Sequence, residues 1–328
     1  MTIPLEELNR HPGYDVDFRS AGDQDAGTPA VTLRDLQGYD VIVAQRWNKH
    51  EGLGIWRQAR TPGSRLVYEL DDDLYSINAE NWAAYNLYRR GDILDAVTHS
   101  MEIADLITVT TEHLGQVLAE ATGNPNIAVL PNCIPGWVLD ITREPRDRPA
   151  AGWQGGASHG ADLGLVTGPV TRFLRRFPGW DLRLAGTDYR PSFGAAADRK
   201  HYGGWTQVNK DPAGFYRGMD YDIALAPLLE NTFNLSKSDL KLREHMALGI
   251  PVIASDVGPY RDTIRHGETG FLVRREHEWL KYLSELAGDE GLRLKMGAAA
   301  REAARAWTIE ENWQRWADAY QALFRGTR

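Results

Sequence analysis

The sequence predicts an α/β protein made of two parallel, doubly wound halves. Three observations carry that reading. Short apolar runs of strand length alternate with segments patterned for helix. The alternation stops at a stretch holding three prolines and many charges, IPGWVLDITREPRDRP (134–149), and then restarts. The restarted half contains, within 231–273, a capped helix, a buried strand, a turn and a second strand in quick succession.

Taken in order, residues 1–38 are weakly patterned, and 22–27 reads as a loop. The first clear strand is DVIVAQ (40–45), with a helix near 53–59. RLVYEL (65–70) is the next strand and runs straight into Asp71, Asp72 and Asp73. Residues 85–104 read as helix, LITVT (106–110) as strand, 112–121 as helix, and IAVL (127–130) as a strand closed by Pro131 and Asn132. The proline-rich stretch 135–149 reads as a linker. Beyond it come a short strand at 151–154, a glycine-rich loop, a helix at 163–177, DLRLA (181–185), a further strand at 202–205, a short helix at 215–219 and DIALAP (222–227). The tail 276–324 is helical. In it Trp313, Trp316, Tyr320 and Leu323 fall at spacings of three and four, an apolar stripe. With few Lys or Arg beside it, the stripe suits a packed helix better than a membrane surface.

The chain has 328 residues, 42% of them hydrophobic, enough for two ordinary cores. A net charge of -8 disfavours a general nucleic-acid binder, although a local basic pocket stays open. Cys133 is the single cysteine, so neither an internal disulfide nor a Cys-based zinc site is expected, and a reducing compartment is. The opening MTIPLEELNRHPGYDVDF is polar and acidic, unlike a secretory leader, and no run approaches the about 20 apolar residues of a spanning helix. The expectation is a cytoplasmic chain, with a peripheral place at a membrane left open. Eleven tryptophans fit core and interdomain packing, or a platform on which sugars stack.

Three motifs carry candidate chemistry. Ser236 and Asp239 form an S-x-x-D capping signature, while Gly249 and Pro251 stop the helix, which is therefore expected over 237–248. Its start follows the loop after strand 222–227, and in an open α/β sheet that end of the strands faces the ligand cleft. A helix start there offers free N–H groups to a diphosphate. Lys237, Lys241 and Glu244 would share one face, the cations suited to phosphate and the carboxylate to ribose hydroxyls; an ordinary solvated face with a Lys241–Glu244 pair explains the spacing equally. The Asp71–Asp72–Asp73 run could hold hydroxyl groups of a ligand, bind a divalent metal, or be solvated loop acids or a helix cap. Finally, Gly156-Ala157-Ser158-His159-Gly160 matches the G-x-S-x-G elbow of α/β-hydrolases, but the strand before it looks feeble and no downstream histidine has an obvious partner.

The segment REHMALGIPVIASDVGPYRDTIRHGETGFLV (243–273) resembles the donor site of retaining glycosyltransferases of family 4, which have the GT-B fold. VTTEHL, VLPNCI, DLRLAG and DIALAPL resemble further segments of that family, in the right order, so the likeness spans roughly 40–325. It implies two Rossmann-like parallel-sheet domains facing a cleft, with a C-terminal helix crossing back. The corresponding division is an acceptor-side domain at 1–140, reduced relative to the family, a nucleotide-sugar domain at 141–308 and the returning helix at 309–328.

Two departures shape the expected site. The family's Glu-x7-Glu keeps its second Glu as Glu244 but has Ser236 in the first position. Many members carry an Arg and a Lys for the diphosphate, one of them in the loop after the first donor-domain strand; here that loop is GGASHGAD (155–162), with Ser158 and His159 instead. The resemblance therefore implies that Lys237, Lys241, His159 and backbone N–H groups share the phosphate work, with Gly155, Gly156, Ser158 and Asn234 lining the donor site and Glu244 on the ribose. Asp71, Asp72 and Lys237 are the candidate catalytic residues. The implied reaction is transfer of a sugar from a UDP- or GDP-linked donor to a glycan, lipid-linked or protein acceptor, with retention and without a required cofactor or metal. A nucleic-acid acceptor is disfavoured by charge. The alternatives are a catalytically inactive nucleotide-sugar binder, or a serine hydrolase using Ser158.

Overall fold

The computed structural model describes residues 2–19, 31–48, 50–144, 146–194, 197–204 and 210–325. The loop expected at 22–27 and the Trp205 end of the strand expected at 202–205 lie outside the described residues. The chain divides into two compact units. One comprises residues 1–132, 236–238 and 309–328, and the other residues 133–235 and 239–308.

The first unit opens with helix α1 (Thr2–Leu8) and then builds β1 (Val41–Gln45), α2 (His50–Ala59), β2 (Arg65–Leu70), α3 (Trp82–Tyr88), α4 (Gly91–Glu102), β3 (Leu106–Val109), α5 (Glu112–Thr122) and β4 (Ile127–Val129). The four strands pair in parallel in the order β1-β2-β3-β4, with Gln45 opposite Glu69 at the carboxyl end of the first pair. β2 and β3 are buried along almost their whole length, which is why they read as continuous apolar runs rather than alternating ones. The core gathers Trp56, Leu66, Tyr68, Leu70, Val97 and Ile107. The helix expected at 85–104 is two helices, because Arg90 takes an extended conformation ahead of Gly91 and interrupts the ladder.

The second unit runs β5 (Ala150–Gly155), α6 (Gly160–Arg176), β6 (Asp181–Gly186), β7 (Lys200–Gly204), α7 (Pro212–Arg217), β8 (Ile223–Ala226), α8 (Thr232–Leu235), α9 (Leu240–Ala247), β9 (Val252–Ser255), α10 (Pro259–Thr263), β10 (Gly270–Val273), α11 (Glu276–Gly288) and α12 (Glu290–Arg305). Its six parallel strands order as β10-β9-β8-β5-β6-β7. Apolar clusters cover both faces: Tyr221, Leu242 and Met246 on one, Trp153, Phe173, Trp279 and Leu283 on the other. β5, feeble as a sequence, is a central and fully buried strand. Its small residues are what the packing demands, since a Cβ at Gly152 would stand 1.9 Å from the Tyr221 ring. The expected linker also contributes to this unit, for Val138 and Leu139 are buried in a 3-10 turn over Gly136–Asp140.

The helical tail comprises four helices. α11 and α12 are divided at Asp289, whose side chain accepts from the Leu292 N–H, 2.8 Å, and caps α12. α13 (Ile309–Asn312) and α14 (Gln314–Ala322) belong to the first unit, where Trp316 and Tyr320 are buried and Trp313 stacks on His11 at 3.6 Å. Trp56, Trp153, Trp180, Trp279 and Trp316 are core residues, whereas Trp82 and Trp137 are exposed. Among the described residues no helix is long and apolar enough to cross a membrane.

Candidate functional site

In the second unit the candidate residues collect where β5 turns into α6 and along α9. After Gly155 the chain makes a 3-10 turn, Ala157–His159, which places Ser158 and His159 ahead of the first turn of α6. Gly155 is required sterically, because a Cβ there would lie 2.5 Å from the Trp153 ring; Gly156, by contrast, has open space around it. The Tyr189 hydroxyl donates to the Ala157 carbonyl, 2.9 Å, and fixes the turn.

Asp162 is the hub of this corner. One carboxylate oxygen pairs with His159 Nδ1 at 2.9 Å; the other accepts from the Leu229 N–H at 2.8 Å and from Asn234 Nδ2 at 3.0 Å. His159 and Asn234, far apart in sequence, are thus tied through one buried acid. Sequence reading missed Asp162, and its only local signal is its place in the first turn of α6, where a carboxylate complements the helix dipole.

On α9, Glu244 is 8% exposed, and its one described hydrogen bond is long, 3.5 Å from Gln154 Nε2. Burial pushes this carboxyl up to about 8, with Lys241 pulling the other way. Lys241 places its ammonium over the Trp153 ring, 5.5 Å from the centroid, a cation–π arrangement. His245 is enclosed by the Tyr221 hydroxyl and the Lys241 carbonyl, each at 2.5 Å.

The helix starts later than its sequence suggests. α9 begins at Leu240, with Asp239 in the capping position but without a side-chain cap. The Asp239 carboxylate goes to Arg243 Nε at 2.8 Å and to the Thr263 hydroxyl instead. Ser236 is likewise committed elsewhere: its carbonyl accepts from Thr111 Oγ1 and its hydroxyl meets His113 Nδ1, each at 3.0 Å. Lys237 therefore does not share a helix face with Lys241 and Glu244, and it groups with the first unit. The stop falls as expected, Gly249 taking φ 67° ahead of Pro251.

In the first unit, Lys237 Nζ lies 3.6 Å from Asp72 Oδ1. Asp72 Oδ2 and Asp71 Oδ1 both accept from Arg46 Nη2, the former at 2.8 Å. Arg46 is a second residue that sequence reading passed over; it follows β1 at once and has φ 48°. Burial works against its charge, but Asp71 and Asp72 outweigh burial and hold the guanidinium protonated. Asp73 is spent on its own turn, accepting from the Tyr75 N–H at 3.0 Å and from the Ser76 hydroxyl. Among the described residues no group of three or more His, Cys, Asp or Glu is arranged to hold a metal ion.

A cavity of the second unit, about 830 Å³, is lined by none of the candidate residues. It lies beside them, past α6 residues Ala161, Gly164 and Gly168, at the carboxyl ends of β8, β9 and β10. Leu229 lines it and also donates to Asp162, so the Asp162 network forms part of the partition. Of the charged groups that line it, Asp256 is already paired with both Arg261 and Arg274.

The Glycosyl transferases group 1 family model matches residues 169–289, a segment that includes Asn234, Lys237, Lys241 and Glu244 but not the 155–159 turn. A stretch of 89 residues is 36% identical to D-inositol 3-phosphate glycosyltransferase of Corynebacterium glutamicum (strain R), covering 26% of this chain and 20% of that protein. The fold is similar to that of Anabaena HepE in complex with UDP-glucose, with TM-score 0.63 and 15% identity over 97% of this chain and 88% of HepE. It is also similar to TarM, with TM-score 0.63 and 13% identity over 88% of this chain and 57% of TarM.

Proposed function

We propose that this chain, a GT-B protein of family-4 type with a group 1 glycosyltransferase segment in its second unit, moves a sugar from a nucleoside-diphosphate sugar to an acceptor hydroxyl with retention of configuration. The observation that carries the proposal is Glu244: a buried carboxyl, inside the matched segment, whose described hydrogen bond is weak. An under-satisfied buried carboxyl gains most from a ligand that brings hydroxyl donors, as a ribose does. Gly155, Gly156, Ser158 and the start of α6 offer backbone N–H groups to a diphosphate, and His159, Asn234 and Lys241 stand around them. Fold likeness to HepE, solved with UDP-glucose, supports a uridine donor, and a guanosine donor is the other arm of the test.

In this reading the bond from the sugar carbon to the diphosphate oxygen breaks, and a bond to the acceptor oxygen forms on the same face. The acceptor proton passes to the departing phosphate. Lys237 neutralises the charge growing on that phosphate, which is where such sites gain most. Asp71 and Asp72 take sugar hydroxyls.

The test is a thermal-shift panel of UDP, GDP and their hexose conjugates, followed by donor hydrolysis. A nucleoside diphosphate should raise the melting temperature, and its sugar should be slowly hydrolysed. Lys237→Ala should lower turnover by about 10²- to 10³-fold, and Glu244→Ala should weaken nucleotide binding about 10-fold or more. Stabilisation without turnover would instead indicate an inactive binder. No described contact favours a serine hydrolase, for Ser158 has no histidine hydrogen-bonded to it among the described residues.

A further inference from the structure

Two features of the first unit meet at Arg46. Among the described residues it is the one non-glycine with positive φ, 48°, a conformation that glycine adopts more easily. Its amide donates to the Glu69 carbonyl at 3.1 Å, so the parallel β1–β2 ladder runs on to the residue itself. Its side chain then bridges two consecutive carboxylates, Asp71 and Asp72, at the end of β2. Among the described residues Arg46, Lys237, Asp71 and Asp72 meet here, and Asp72 stands between the two cations. It is 2.8 Å from Arg46 but 3.6 Å from Lys237, beyond ordinary hydrogen-bond length.

The division of Asp72 is unequal for a physical reason. A guanidinium presents several donors in a rigid fork and is weakly hydrated, so it takes both carboxylates from one position; an ammonium is a strongly hydrated point charge. Removing Arg46 would leave one ammonium facing two carboxylates, and Asp72 would close on Lys237. We propose that Arg46 is a positioning residue: by occupying Asp71 and Asp72 it keeps Lys237 from collapsing into a closed pair with Asp72, so that the ammonium can meet an anionic ligand. The last step rests on the phosphate role given to Lys237 above, whereas the sharing of Asp72 does not.

The test reads Lys237 directly. The intact protein is treated with limiting acetic anhydride at pH 8, and acylation at Lys237 is followed by mass spectrometry, with a surface lysine such as Lys295 as internal standard. Arg46→Gln should slow acylation of Lys237 several-fold, because two unbalanced carboxylates then hold the ammonium. Asp71→Asn should act in the opposite direction, since Arg46 is then left to Asp72 alone. Arg46→Lys should fall between Arg46→Gln and the parent. Opposite signs from two substitutions in one cluster are not what general loosening produces. Equal rates in all four proteins, or a rise in Arg46→Gln, would overturn the proposal. UDP-glucose and GDP-mannose hydrolysis is measured in parallel. If Lys237 responds as expected while the parent hydrolyses neither donor, the sharing of Asp72 stands and the transferase reading is what fails.

Discussion

Glu244 and His245 are neighbours on α9, and burial moves them in opposite directions. It pushes the glutamate from 4.5 up to about 8 and the histidine from 6.5 down to about 3, because in both cases the charged form is the one that burial disfavours. The folded glutamate holds its proton more tightly than the unfolded one. Its contribution to stability is therefore full below 4.5 and is lost as pH rises through about 8. For the histidine the contribution is full above 6.5 and is lost as pH falls toward about 3. The two slopes oppose each other between 4.5 and 6.5, and Glu244 acts alone between 6.5 and 8. The ligand-free protein should lose about 2 kcal/mol of stability across that upper window on account of this group. Denaturant melts at three pH values would show the slope, and Glu244→Gln should flatten it; an unchanged slope in that variant would remove Glu244 as its source. Ribose hydroxyls donating to the carboxylate would favour the ionised form, so nucleotide binding should release a proton near pH 7. Calorimetry in buffers of different ionisation enthalpy measures that release.

At the scale of elements, glycines decide how closely α9 and α12 approach each other. A Cβ on Gly297 of α12 would lie 2.2 Å from the Gly249 carbonyl in the turn that closes α9. Backbone cannot swing aside as a side chain can, so Gly297→Ala should destabilise the protein by about 2–3 kcal/mol in a chemical melt. Gly156 gives the opposite expectation, with φ -84° and nothing near its would-be Cβ. Gly156→Ala should change stability by less than about 0.5 kcal/mol. Any loss of nucleotide affinity in that variant would then report the close approach of a ligand to the backbone. Full affinity would place the diphosphate elsewhere.

At the scale of the whole molecule, the chain leaves its first unit after Asn132, re-enters it at 236–238 and ends in it from Ile309 onward. Trp316 is 2% exposed there, so Trp316→Ala should cost about 3–5 kcal/mol. Hydrogen exchange should quicken in β1–β4 more than in β5–β10, and a uniform rise would argue against two separable cores. Much of this architecture is local in origin and was legible in the sequence. RLVYEL, LITV, IALA and VIAS are strands because a parallel sheet covered on both faces needs continuous apolar runs, and Gly249 with Pro251 ends a helix wherever it occurs. AAGWQG escaped that logic, since its glycines answer to Tyr221 and Trp153, residues whose positions no local pattern reveals. The candidate site divides in the same way. Glu244 and Lys241 followed from helix spacing and resemblance. The first turn of α9 did not, because Ser236 is drawn to Thr111 and His113, and Asp239 to Arg243 and Thr263. Arg46 and Asp162 were invisible for the same reason: each matters through partners 25 or more residues away, Asp71 for one and Leu229 and Asn234 for the other. Periodicity and capping chemistry are written into neighbouring residues, so the sequence by itself determined the apolar strands and where α9 stops. Which polar group a side chain finally meets is settled by competition among distant partners, and that only the tertiary structure decided.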